Sequence, residues 1–225
     1  SRRKEVTGIM SIQTIVDRAT FLNIDKKKVA SQTISRSGRL KTAEVASAVP
    51  YRFIVGVHEG AKYSENRGVL EELDRLDVTE EEQIDIGDTN SGLSYITAYQ
   101  GGITSGTLTL NSTANSNIFV NASSVAGSGT LFKKGDFIQP LGNTGGYRYP
   151  YQVTSDVSFS TSANVTIPVH RPVIEQTGVA LTSGNVVKGK DVHWFVKMVS
   201  KPAYSILPHD RFTLDSDLEL VEVIQ

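Results

Sequence analysis

The 225 residues are 39% hydrophobic and 21% charged, which supplies a core and excludes global disorder. A formal net charge of −1 argues against a dedicated nucleic-acid binder, because such domains usually carry a basic excess that displaces counterions from phosphates. With no cysteine, disulfides, zinc–thiolate sites and cysteine nucleophiles are also excluded.

The charge is unevenly spread. Residues 1–52 hold 11 Lys/Arg against 4 Asp/Glu, and residues 53–88 hold 3 against 11. Adjacent basic and acidic blocks suit a subunit whose faces attract copies of itself. Two independently solvated faces of one monomer account for the same pattern.

The opening SRRKEVTGIMSIQ lacks the apolar stretch and small-residue cleavage site of a secretory signal, so none is expected. Met10 is either an internal start or an ordinary methionine. No apolar run approaches the length of a bilayer span. Ile12, Ile15, Val16, Ala19 and Leu22 recur at helical spacing, with Ser11 and Asn23 as caps, which predicts a short amphipathic helix over 11–23. Its β-branched content leaves a strand open.

Residues 28–35 and 40–46 read as strands around Ser37-Gly38. Residues 50–58 place Tyr51, Phe53, Val55 and Val57 on one face of a half-buried strand that starts at Pro50. In YSENRGVLEELDRLD, Val69, Leu70, Leu73 and Leu76 form one apolar stripe, a helix over 64–77 with Ser64 as its N-cap.

The texture then changes. No residue from Thr89 to Phe132 is charged, and Gly, Ser, Thr and Asn alternate with short apolar triplets, as in short strands joined by turns. YRYPYQVTSDV and ANVTIPVH add two more strands. Residues 191–199 and 217–224 alternate cleanly. The expected fold is therefore mainly β, a tube-like β-sandwich or barrel with one bracing helix, a short N-terminal helix and an inserted small β module. The expected domains are 10–88 with 175–225, and the insertion 89–174.

Candidate chemistry is sparse. His58, His170, His193 and His209 lack the spacing of metal ligands. Asp215, Asp217 and Glu219 share one side of an extended segment, but without the glycine and spacing of a calcium loop. DTNSG at 88–92 starts like such a loop, yet Tyr99 stands where the closing Glu belongs. There is no G-x-S-x-G nucleophile signature. The expectation is no enzyme, no metal and no cofactor, with a hydrolase of dispersed site as the remote alternative. Tyr147, Tyr149 and Tyr151 fall on one strand face, either as packing or as an aromatic platform for a sugar or receptor.

SQTISRSGRLKT at 31–42 offers Arg36 and Arg39 around a single glycine, Gly38. A phosphate loop needs several glycines and leads into a helix, so that free N–H groups converge on the anion. Strand-like residues follow here instead. A Ser-Gly pair between β-prone runs is turn chemistry. Arg36, Gly38 and Arg39 are thus assigned to a hairpin tip, with the arginines as candidate contacts to an acidic block on a neighbouring subunit.

Two stretches resemble structural proteins of contractile bacteriophage tails, of the baseplate and tail-tube type. KKKVASQTISRSGRLKTAEVASAVPYRFIVGV followed by YSENRGVLEELDRLD is similar to their long hairpin, strand and helix. GSGTLFKKGDFIQPLGNTGGYRYPYQVTSDV followed by NVTIPVHRPVI is similar to a small β module common among them. The resemblance implies a non-enzymatic virion protein, a tube-initiating or hub-adaptor subunit. It would assemble in the bacterial host cytoplasm into a ring, commonly of six copies, and contact other tail proteins. It implies no membrane and no sequence-specific nucleic-acid contact, with DNA passing through the ring. The alternative is a receptor- or glycan-binding module of a tail using the Tyr147–Tyr151 face.

Overall fold

The computed structural model describes residues 12–26, 30–34, 40–44, 49–57, 62–76, 78–87, 92–103, 105–126, 128–142, 149–160, 164–174 and 184–224. The first half comprises α1 (Ile12–Val16), β1 (Ala19–Asp25), β2 (Ala30–Ile34), β3 (Leu40–Glu44), β4 (Arg52–Val57), α2 (Tyr63–Arg75) and β5 (Glu82–Asp85). Then come β6 (Leu108–Ala114), β7 (Asn117–Asn121), β8 (Gly129–Phe132), β9 (Phe137–Gly142), β10 (Tyr151–Gln152), β11 (Val157–Phe159) and β12 (Asn164–Pro168). The chain continues through β13 (Gly184–Lys188), β14 (His193–Ser200), β15 (Tyr204–Leu207), β16 (Arg211–Leu214) and β17 (Leu218–Glu222). The fold is mainly β, with two α-helices among the described residues, as the alternating sequence patterns predict.

One sheet has the order β1-β4-β17-β14-β5, antiparallel throughout. Period-two alternation builds its inner face. Tyr51, Phe53 and Val55 point inward, as do Trp194, Val196 and Met198 of β14 and Leu218 and Leu220 of β17. Both helices cover this face. Val69 and Leu73 of α2 and Ile12, Ile15 and Val16 of α1 pack into the same core. A second, six-stranded sheet has the order β10-β9-β13-β6-β7-β12 around its own core of Leu108, Leu110, Ile118, Val120, Ile138 and Ile167, among others. The first sheet takes strands from both ends of the chain. The second takes its strands from between them, β13 included, which lies beyond residue 174. Three pairs stand apart: β2–β3, β8–β11 and β15–β16.

Two helix predictions change. The helix expected over 11–23 ends at Val16, and residues 19–25 pair with β4 instead, from Ala19↔Val57 to Asp25↔Arg52. A tertiary partner overrides a weak helical pattern rich in β-branched and aromatic residues. The start of α1 is held from β5, where the Glu82 carboxylate accepts the Ile12 N–H at 2.7 Å. In α2, Ser64 is not the N-cap. Lys62 occupies that position and makes no side-chain cap. The cap comes from Asp210, at the β15–β16 turn. Its carboxylate accepts the Ser64 N–H at 2.9 Å and the Ser64 hydroxyl at 2.5 Å, and its carbonyl accepts the Tyr63 N–H at 3.0 Å. These Ser64 hydrogen bonds hold the Asp210 carboxyl below the usual carboxylate range.

The two sheets are joined by side chains that cross between them. Phe137 of β9 belongs to the first core, with its ring 5.5 Å from Trp194 and 6.3 Å from Tyr51. Gln139, fully buried, donates to the His193 carbonyl at 3.0 Å and accepts the His193 N–H at 3.1 Å. Upstream, Asp136 closes the GDF turn by accepting the Lys133 and Gln100 N–H groups, while Gly135 takes φ of 102°.

Candidate functional site

The alternation that buries Leu218 and Leu220 also turns Glu222 inward, so a carboxylate enters the core and requires a partner. That partner is Arg171, from the segment after β12. Val169 bridges Val153 there. His170 is keyed to β10 by two bonds: its N–H donates to the Gln152 carbonyl, and its Nδ1 accepts the Gln152 N–H, each at 3.0 Å. The next residue then faces the seam. Arg171 and Glu222 are 2% and 3% exposed.

The pair is bidentate. Arg171 Nη1 donates to Glu222 Oε2 at 2.6 Å, and Nη2 donates to Oε1 at 2.7 Å. The same nitrogens reach the Val49 and Pro150 carbonyls at 2.8 and 3.0 Å. Glu222 Oε2 also accepts the Tyr51 N–H at 2.9 Å. The guanidinium carbon lies 4.9 Å from the Tyr51 ring centroid and 5.3 Å from that of Tyr151. Burial works against the guanidinium charge, but hydrogen bonds and attraction from Glu222 outweigh it and the Arg171 pKa is raised.

The groups around this pair are held neutral. Burial, reinforced by Arg171 and Lys26, pushes His170 down to about 3. With Nδ1 accepting, the neutral ring carries its proton on Nε2, which has no hydrogen-bond partner. The Tyr151 hydroxyl accepts the Ile174 N–H at 2.9 Å, and burial raises its pKa to about 12. Both Arg171 Nη nitrogens donate twice and both Glu222 oxygens accept, and only Arg171 Nε is left without a partner in this fork. Such a cluster joins two sheets rather than moving protons.

Arg36, Gly38, Arg39 and Tyr147 lie outside the described residues. The strands flanking the first three pair as the hairpin reading requires, from Ala30↔Glu44 to Ile34↔Leu40. Tyr149 and Tyr151 do not form an exposed platform. They are 4% and 1% exposed and belong to the second core. Regular strand pairing begins only at Tyr151, and that ring covers the buried guanidinium. The carboxylates of 215–219 are engaged separately: Asp215 accepts the Ala203 N–H at 2.8 Å, and Glu219 pairs with Arg52. Among the described residues, no group of three His, Asp or Glu could hold a metal ion. Among the described histidines, His170 is the one whose ring lies beside the Arg171–Glu222 pair, and that pair, 51 residues apart, escapes sequence reading. Its one signal is an acidic residue at an inward position of a clean alternation.

Beside this cluster, a cavity of about 380 Å3 opens between β1, the start of β9 and the end of β10, with Tyr51 in its wall. No protein-family model matches the chain, and no curated protein matches it.

Proposed function

We propose that this chain is a non-enzymatic structural subunit of a contractile bacteriophage tail, forming a ring near the baseplate or at the start of the tube. The ring is six-fold, contacts other tail proteins, and surrounds the path of the DNA in the virion. The observation that carries this reading is the β2–β3 hairpin. Its five residue pairs form a sheet joined to no other among the described residues. A two-stranded ribbon is marginal alone, and its free edges suit pairing with a neighbour in a closed ring. The residues between its arms are the basic ones, Arg36 and Arg39, and the chain's acidic excess lies in 53–88. Opposite charges on distinct surfaces favour ordered self-association.

The test is assembly. The double variant Arg36→Glu/Arg39→Glu is expected to lose rings in negative-stain images and native mass spectra while keeping the circular dichroism of the folded chain. Rings that persist would remove the hairpin as the contact. A wild-type chain that stays monomeric at all concentrations, alone and with tail partners, would overturn the reading.

A further inference from the structure

The segments α1, α2 and β5 meet at a corner crowded with carboxylates. The α2 stripe that buries Val69, Leu70 and Leu73 also buries Glu72, which is 8% exposed. The Glu72 carboxylate makes no hydrogen bond or ion pair among the described residues. It is also absent from their sealed, partnerless polar atoms, so its head keeps a side open to solvent. Two further carboxylates share this corner. Glu82, half-buried in β5, accepts the Ile12 N–H, and exposed Glu80 stands two residues before it. Burial raises the Glu82 pKa first, and repulsion from Glu72 and Glu80 raises it further. Among the described residues no Lys or Arg pairs with any of the three, and Lys197 pairs with Glu81 instead. Val78, 47% exposed, adds an apolar residue two positions before Glu80.

Neighbouring carboxylates repel one another, and a cation placed among them relieves that repulsion. A metal ion does not fit, since no group of three His, Asp or Glu among the described residues could hold one. A guanidinium does fit. It spreads five donors over a planar fork and reaches carboxylates that a single ion cannot bridge. We propose that the Glu72–Glu80–Glu82 corner is the socket for Arg36 and Arg39, the arginines between β2 and β3, of the adjacent subunit. The socket rests on the ring reading above and adds to it the surface that receives the hairpin. Two features select a second copy as the occupant. The charges are complementary, with the basic excess in 1–52 and the acidic excess in 53–88. The placement is head-to-tail. The ribbon follows β1, one edge of the first sheet, and the socket adjoins β5, the other edge, four strand spacings or about 19 Å away. A donor at one edge and an acceptor at the other make a heterologous contact, the kind that closes into rings. Exposed Val78 offers an apolar rest for the methylene stem of an arginine.

Native mass spectrometry and negative-stain imaging of the full chain test this, with thermal unfolding as the control. Glu72→Gln/Glu80→Gln/Glu82→Gln keeps side-chain shape and an acceptor for the Ile12 N–H. It is expected to raise the concentration for half-assembly at least about tenfold at an unchanged or higher melting temperature. Undiminished rings in this variant would overturn the socket and leave the hairpin as a ring contact through another surface. Lost rings with a lower melting temperature would make the carboxylates structural and overturn it too. A wild-type chain that never forms rings would overturn the ring reading and the socket together. Because the chain has no cysteine, Arg39→Cys/Glu80→Cys offers a single disulfide route. Mild oxidation is expected to give a ladder of covalent oligomers, up to the closed ring, that each single variant lacks. A disulfide formed within one chain, or no ladder from rings that still form, would refute the contact. A chain without residues 1–9 is expected to assemble as the full chain does. If it matches the triple variant instead, the socket holds the chain's own Arg2, Arg3 and Lys4, and the proposal fails.

Discussion

Removing Arg171 while leaving Glu222 in place is the sharpest test of how the two sheets are joined. Arg171→Met deletes four hydrogen bonds at 2.6–3.0 Å and leaves the Val49 and Pro150 carbonyls without this donor. It also strands a carboxylate that is 3% exposed and keeps only the Tyr51 N–H. Breaking a buried pair from one side costs about 3–5 kcal/mol. Two unpaired carbonyls add about 1–3 kcal/mol each where water cannot reach them. A loss above about 5 kcal/mol would consume most of the stability of an ordinary domain. The double variant Arg171→Met/Glu222→Gln removes the stranded charge yet keeps an amide oxygen for the Tyr51 N–H. It should therefore be more stable than Arg171→Met alone, by about 2 kcal/mol or more. Urea unfolding followed by fluorescence of Trp194, the sole tryptophan and fully buried in the first core, reads both variants. If the double variant is no more stable than Arg171→Met alone, the pair is not the coupled, desolvated unit described above.

Acid should weaken the same seam through His170. Its folded pKa of about 3 lies below the ordinary value, so the unfolded chain takes the proton first. The associated stability is complete above about pH 6.5 and is lost as pH falls toward 3. Between these limits one extra proton on the unfolded chain sets a slope approaching about 1.4 kcal/mol per pH unit. His170→Asn, whose side-chain oxygen can replace Nδ1 as the Gln152 acceptor, should flatten this part of the profile in urea titrations between pH 7 and 4. Two glycines separate rigid from yielding surroundings. A Cβ on Gly101 would lie 2.3 Å from the Leu131 carbonyl, which also accepts the Tyr99 hydroxyl, so Gly101→Ala should cost about 2–3 kcal/mol. The atoms nearest a Cβ on Gly56 belong to the ring of exposed Phe21, which can swing aside, and Gly56→Ala should cost less than about 1 kcal/mol. Equal losses in thermal or urea unfolding would contradict this assignment.

Local periodicity made most of the first sheet legible. Tyr51, Phe53 and Val55, the run from His193 to Met198, and Leu218 to Leu220 announce their inward faces, because a strand with one buried face must alternate. The apolar stripe of α2 was equally plain. What failed were features that depend on residues far along the chain. Ser64 has the chemistry of an N-cap, but a carboxylate 146 residues away takes the capping role. The segment 19–25 has a helical rhythm until β4 is available to pair with it. The tyrosines of 147–151 look like a platform only while the core that covers Tyr149 and Tyr151 is out of view. The site itself was the least legible part, because Arg171 and Glu222 are each ordinary in their local sequence and meaningful only once two sheets meet.

The strand order of the first sheet also bears on synthesis. β17, the last of its five strands to leave the ribosome, lies between β4 and β14. Until it arrives, β1 with β4 and β14 with β5 are separate ribbons, and Arg171 has no carboxylate to meet. The second sheet has all its strands once residue 188 has emerged. The six-stranded unit can therefore mature first and present Phe137, Gln139 and Arg171 as a finished surface. Completion of the five-stranded sheet and of the ion pair both await β17, which supplies the central strand and Glu222 together.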